Sequence, residues 1–140
     1  MHFVGYVPDE MVRAVYAEAT LFVFPAVAEG FGLPAVEAMA CGTPTVVADA
    51  ASLPEATRGA AVRFPPDDDR ALGLVIDRLL GDDDARLRLG QIGRDAMGVR
   101  TWDDVAADTA VVLREAASTS APSRLARSVA AGRHVHRWVR

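Results

Sequence analysis

The chain has 140 residues, enough for one domain with its own core, and 51% of them are apolar. Residues 1–117 hold ten Arg against nineteen Asp and Glu, whereas residues 118–140 hold five Arg and no acid, so the body is acidic and only the tail is basic. An acidic body argues against nucleic acid as the main partner, and no apolar run is long enough to cross a bilayer. The single Cys rules out an internal disulfide, and with no N-terminal signal in view it fits a cytoplasmic protein. All fifteen basic residues are Arg, so no Lys is present to clamp a phosphate or form a Schiff base.

Short apolar runs alternate with segments of helical period, which predicts an α/β fold: a Rossmann-like, mostly parallel sheet flanked by helices. His2 to Val4 reads as a first strand, ended by Gly5 and Pro8. A helix follows from about Asp9 to Ala19, with Val12, Val15, Tyr16 and Ala19 on one apolar face. Leu21 to Phe24 is apolar throughout, the pattern of a parallel strand buried on both faces. Pro34 suits the first position of the next helix and Gly42 its end. Thr45 to Ala48 is a buried strand, Asp49 to Arg58 a loop, and Ala61 to Phe64 a short strand. Three helices come next. The first carries a stripe of Leu72, Val75, Ile76, Leu79 and Leu80, and the second spans about Asp83 to Met97 with Gly90 and Gly93 against it. The third opens at Thr101 with Asp104 as an imperfect capping box, and buries Trp102, Val105, Ala106, Thr109, Val112 and Leu113. Residues 1–117 form the domain, and 118–140 read as a basic, flexible tail.

The segment Glu29-Gly30-Phe31-Gly32-Leu33-Pro34-Ala35-Val36-Glu37 carries the chemistry. Two carboxylates bracket a Gly-Phe-Gly turn at a helix start, where the amides of about Gly32 to Ala35 lack helical partners and can hold an anion. Glu37, in the first helical turn, can accept two hydrogen bonds from a cis-diol such as ribose. Glu29 approaches the same pocket from before the turn, and Gly30 and Gly32 permit close approach and positive φ. The same residues fit G-x-G-x-x-A with Asp49 nineteen residues beyond Gly30, a dinucleotide fingerprint. Against that, Ala26 to Glu29 separate the strand from the first Gly, and Glu29 would repel a pyrophosphate. A third reading has the glycines only turning the chain and Glu37 only suiting the helix dipole.

Glu29 to Val47, running EGFGLPAVEAMACGTPTVV, closely resembles the E-x7-E region of retaining GT-B glycosyltransferases of the group 1, GT4-like family. The resemblance extends over Phe3 to Val7, Tyr16, Ala19, Phe24-Pro25, Leu53-Pro54-Glu55, Pro65 to Asp68 and Thr101-Trp102, about residues 2–117 in all. It implies transfer of a sugar, of hexosyl type, from a nucleotide-diphosphate donor to an acceptor hydroxyl. It places Glu37 on the donor ribose and makes Glu29, beside the donor sugar, the catalytic candidate. Gly30 and the backbone amides of Phe31, Gly32 and Leu33 then complete the donor site, and no metal or cofactor is expected. The family's Arg and Lys pair for the pyrophosphate and its acceptor-binding N-terminal domain precede the matched region. The expectation is therefore an incomplete donor-binding domain: a truncated product, a fragment, or half of a split enzyme whose partner supplies the rest. A non-catalytic nucleotide-sugar binding module and a dinucleotide-dependent oxidoreductase are the alternatives. The sequence Ala50-Ala51-Ser52 departs from the glycine usual before Leu-Pro-Glu.

Cys41 reads as a small core residue, Asp67 to Asp69 and Asp82 to Asp84 as helix caps rather than metal ligands, and His134 with His136 as tail residues. The Arg-rich tail, with Leu125, Val129 and Trp138, suggests peripheral contact with an anionic membrane face.

Overall fold

The structure is a computed structural model that describes residues 1–98 and 101–119. The expectations for the tail beyond Thr119, His134 and His136 included, lie outside the described residues. The chain divides into two compact units, Met1–Val99 and Arg100–Arg140.

In the first unit the elements run α1 (Asp9–Glu18), β1 (Phe22–Phe24), α2 (Leu33–Ala40), β2 (Thr45–Ala48), α3 (Leu53–Ala56), β3 (Val62–Phe64), α4 (Asp69–Leu80) and α5 (Asp83–Met97). The strands form a parallel sheet in the order β1-β2-β3. Phe22 pairs with Thr45 and Phe24 with Val47; Val46 pairs with Val62 and Ala48 with Phe64. Helices flank this sheet, as the alternating pattern predicts. β2 has a strand on either side and helices over it, so Thr45, Val46, Val47 and Ala48 are all buried. Met39 of α2, Leu53, Phe64, Leu79 and Met97 complete the core around it.

Two strand expectations change. His2 to Val4 forms no strand, and Phe3 and Val4 are exposed. Apolar character makes a strand only where a neighbour offers N–H and C=O groups, and among the described residues β1 pairs with β2 alone. For the same reason β1 is half-buried rather than buried on both faces.

The Asp49 to Arg58 loop contains one helical turn, α3. Pro54 is tolerated in a first turn, where its missing N–H has no partner to lose, and Leu53 and Ala56 drop into the core. Val15 and Leu80 leave their predicted stripes and are exposed at the edges of α1 and α4. Asp68 and Asp82 are N-caps, accepting from the N–H of Ala71 and of Ala85, each at 2.8 Å.

Gly90 and Gly93, unfavourable for a helix by propensity, are what let α5 lie close to α2. A β-carbon on Gly90 would collide with the Gly42 carbonyl oxygen, and one on Gly93 would sit 3.5 Å from the Met39 side chain. The end of α2 is closed by a left-handed Gly42, with Thr43 N–H reaching Ala38 O at 3.0 Å and Gly42 N–H reaching Met39 O at 2.8 Å. Arg94 of α5 adds a bond to the Cys41 carbonyl at 2.7 Å.

The described part of the second unit is α6 (Trp102–Thr119). Its capping box is complete despite the shorter acid: Thr101 N–H donates to Asp104 Oδ2 at 2.8 Å and Asp104 N–H to Thr101 Oγ1 at 3.3 Å. Within this unit Val112 and Leu113 of the predicted face are exposed. A single helix has nothing within itself to cover such a stripe. The Trp102 side chain lies outside what is described.

Gly90→Ala is expected to destabilise the chain by about 1–3 kcal/mol through overpacking. Gly73→Ala in α4, where nothing lies within 4 Å of the new β-carbon, is expected to stabilise by roughly 0.5–1 kcal/mol. Urea unfolding of the two variants beside the wild-type chain checks both signs.

Candidate functional site

Open α/β sheets bind ligands outside the carboxyl ends of their strands. Here that edge carries residues 25–32, after β1, and residues 49–52, after β2. The first loop ends at Gly32, the N-cap of α2, held at φ 86° and ψ 40°. A β-carbon there would lie 2.5 Å from Leu53 Cδ2, so the turn rests directly on the first residue of α3. The Ser52 hydroxyl donates to the Glu29 carbonyl at 3.3 Å and fastens the two loops together. Gly30 does not adopt positive φ, so of the two glycines only Gly32 uses its freedom.

The helix start exposes fewer donors than the sequence suggests. Pro34 is the second residue of α2, not the first, and has no N–H. Ala35 N–H turns back to Gly32 O at 3.0 Å. The amides of Gly30, Phe31, Gly32 and Leu33 have no partner among the described residues. The Phe31 and Leu33 side chains are exposed beside them.

Glu37 is the fifth residue of α2, one residue further in than expected, with an exposed side chain. The Tyr16 hydroxyl donates to its Oε2 at 3.4 Å. Burial, then the nearby Glu37 carboxylate, pushes the Tyr16 hydroxyl above its ordinary pKa, so it stays a donor well into the alkaline range. The Glu29 carboxylate is also exposed and has no hydrogen-bond partner among the described residues. Asp49, the acid required by the dinucleotide fingerprint, is instead paired with Arg63 on β3 at 2.9 Å. Residues 25–31 also intervene between β1 and the Gly32 cap, too many for the tight turn of that fingerprint.

Sequence reasoning missed Tyr16 and Ser52 as neighbours of the two glutamates. Tyr16 sits on the apolar face of α1 and reads as core. Its hydroxyl reaches Glu37 only through tertiary packing, which leaves no local signal. A cleft of about 520 Å³ lies at the other end of the sheet, lined by Ala19, Thr20, Gly42, Pro44, Arg86 and Arg94 among others. Both arginines there are engaged with the carbonyl ends of helices, Arg86 with Leu79 O at 2.6 Å and Arg94 with Cys41 O at 2.7 Å. That cleft touches neither glutamate.

The sequence model described as "Glycosyl transferases group 1" matches residues 1–96. The chain belongs to the group 1 glycosyl transferases. It is 44% identical over 86 residues to O-antigen chain mannosyltransferase B of Escherichia coli, covering 61% of this chain and 23% of that protein. It is 41% identical over 120 residues to MMP alpha-(1->4)-mannosyltransferase of Mycolicibacterium hassiacum, covering 83% and 29% respectively. Among solved structures, sucrose-phosphate synthase from Thermosynechococcus elongatus superposes with a TM-score of 0.70 at 34% identity, over 85% of this chain and 31% of that one. The three-stranded sheet and its helices therefore match part of a GT-B, Rossmann-like domain, and the chain spans less than a third of each of these relatives. Membership of a glycosyl transferase family disfavours the oxidoreductase reading, in line with the Asp49–Arg63 pair. No helix among the described residues is long and apolar enough to cross a membrane.

Gly32→Ala is expected to cost about 1–2 kcal/mol for the left-handed backbone alone, with the Leu53 contact added. Gly30→Ala, with open space at its β-carbon, is expected to change stability by less than about 0.5 kcal/mol. Denaturant midpoints of the two variants distinguish the cap from its neighbour.

Proposed function

We propose that this chain supplies the donor half of a glycosyltransferase reaction, the transfer of a hexosyl group from a nucleotide-diphosphate sugar to an acceptor hydroxyl. The observation that carries this reading is the helix start between two exposed carboxylates. The amides of Gly30, Phe31, Gly32 and Leu33 have no partner among the described residues, and all of these residues but the buried Gly32 are exposed beside Glu29 and Glu37. Unpaired N–H groups at a helix start favour the negative charge that grows on a departing nucleotide diphosphate. Glu37, deeper on α2, binds the ribose diol. Glu29, on the approach loop, meets the donor sugar and is the candidate for stabilising positive charge at the reacting carbon. The names of the two curated relatives above favour a mannosyl donor.

Residues 1–117 make up the donor-binding part and 118–140 the basic tail. Acceptor recognition and the cations for the pyrophosphate come from a separate domain or chain, since the relatives are more than three times the matched length. The five Arg and missing acids of residues 118–140 support contact between that tail and an anionic, cytoplasmic membrane face.

Titration of the chain with UDP-sugars, GDP-sugars and NAD is expected to show binding of a nucleotide sugar and none of NAD. Glu37→Ala, which removes charge-assisted hydrogen bonds to the diol, is expected to weaken binding by about tenfold or more. Binding of NAD with no response to nucleotide sugars contradicts the reading.

A further inference from the structure

The contact between Tyr16 and Glu37 joins α1 to α2 at the rim of the candidate site. Tyr16 is fixed from two sides. Its ring meets Phe22 of β1 edge-on, with centroids 5.4 Å apart and planes at 87°. Its carbonyl accepts a bond from the Thr43 hydroxyl at 2.6 Å, beyond the far end of α2. Glu37 is otherwise unsupported: its carboxylate is exposed and has no second hydrogen-bond partner among the described residues.

We propose that Tyr16 is a positioning residue for Glu37, holding Oε2 so that Oε1 and the remaining lone pairs face a ribose diol. The inference rests on the reading of Glu37 as the ribose ligand. An unrestrained glutamate loses rotamer freedom when it grips a ligand, and a glutamate already held loses less. A tyrosine hydroxyl suits the task because it is a neutral donor on a rigid ring. Burial, then the charge of Glu37, its hydrogen bond and Cys41, all favour the protonated form of Tyr16. The 3.4 Å separation is at the long end for a hydroxyl–carboxylate bond.

Discrimination between ribose and 2′-deoxyribose provides the test, because an aimed carboxylate serves the diol and not the base. The chain is titrated calorimetrically with UDP and GDP, each beside its 2′-deoxy form, as wild type, Tyr16→Phe and Glu37→Gln. Tyr16→Phe is expected to weaken ribonucleotide binding by about 3- to 10-fold, to affect the deoxynucleotide far less, and to leave the thermal midpoint unchanged. Equal losses for both sugars, or a loss that tracks a lower midpoint, make Tyr16 merely structural and overturn the inference while Glu37→Gln still weakens binding. No response to Glu37→Gln, or no nucleotide binding by the wild-type chain, overturns the ribose assignment itself. An absorbance titration reads the pair without ligand. In a Tyr6→Phe background, which leaves Tyr16 as the only tyrosine, Glu37→Gln is expected to move its ionisation to lower pH. An unchanged titration overturns the pairing.

Discussion

The contact between Gly32 and Leu53 is the constraint on which the rest of the site depends. A left-handed residue without a side chain lets the loop after β1 drop onto the buried first residue of α3. That seat fixes where α2 begins, and the start of α2 decides which amides stay free. Ala35 bonds back to Gly32, Pro34 has nothing to donate, and the open donors lie from Leu33 back towards Gly30. The same start sets the turn of α2 on which Glu37 stands. One backbone conformation thus sets both the free amides at the start of α2 and the exposed Glu37 carboxylate along a single helix.

The other end of α2 is held as firmly. Gly42 reverses the chain, Arg94 caps Cys41, and the two glycines of α5 bring that helix against Met39 and Gly42. A short helix of small residues has little intrinsic stability, so its rigidity comes from this packing. The cleft at that end follows from the same close approach, and its arginines are occupied as caps. Rigidity at one end of α2 and free donors at the other suit a site that binds by preorganisation.

The parts legible in the sequence are those whose signal is local. The all-apolar run of β2, the glycine after α2, and the aspartates ahead of α4 and α5 each carry their structural reason in adjacent residues. The parts that were not legible depend on what stands alongside. Phe3 and Val4 have strand chemistry but, among the described residues, no strand beside them. Leu53-Pro54 reads as part of a loop, and burial of Leu53 and Ala56 winds it into a helical turn. Gly90 and Gly93 count against a helix until the approach of α2 explains them. In the candidate site, the E-x7-E spacing marks both glutamates as candidates, but the Tyr16 hydroxyl and the Ser52 tether arise from packing across more than twenty residues of sequence.

The central claim is that a nucleotide-diphosphate sugar sits on the amides at the start of α2. Amide chemical shifts of the labelled chain, followed while a UDP- or GDP-sugar is added, test this most directly. The predicted result is saturable movement of the Phe31, Gly32, Leu33 and Glu37 signals, with Gly42, Gly90 and Arg94 at the opposite end of the sheet unmoved. Movement confined to Gly42, Gly90 and Arg94, or none at Phe31 to Leu33 with either donor, would contradict it.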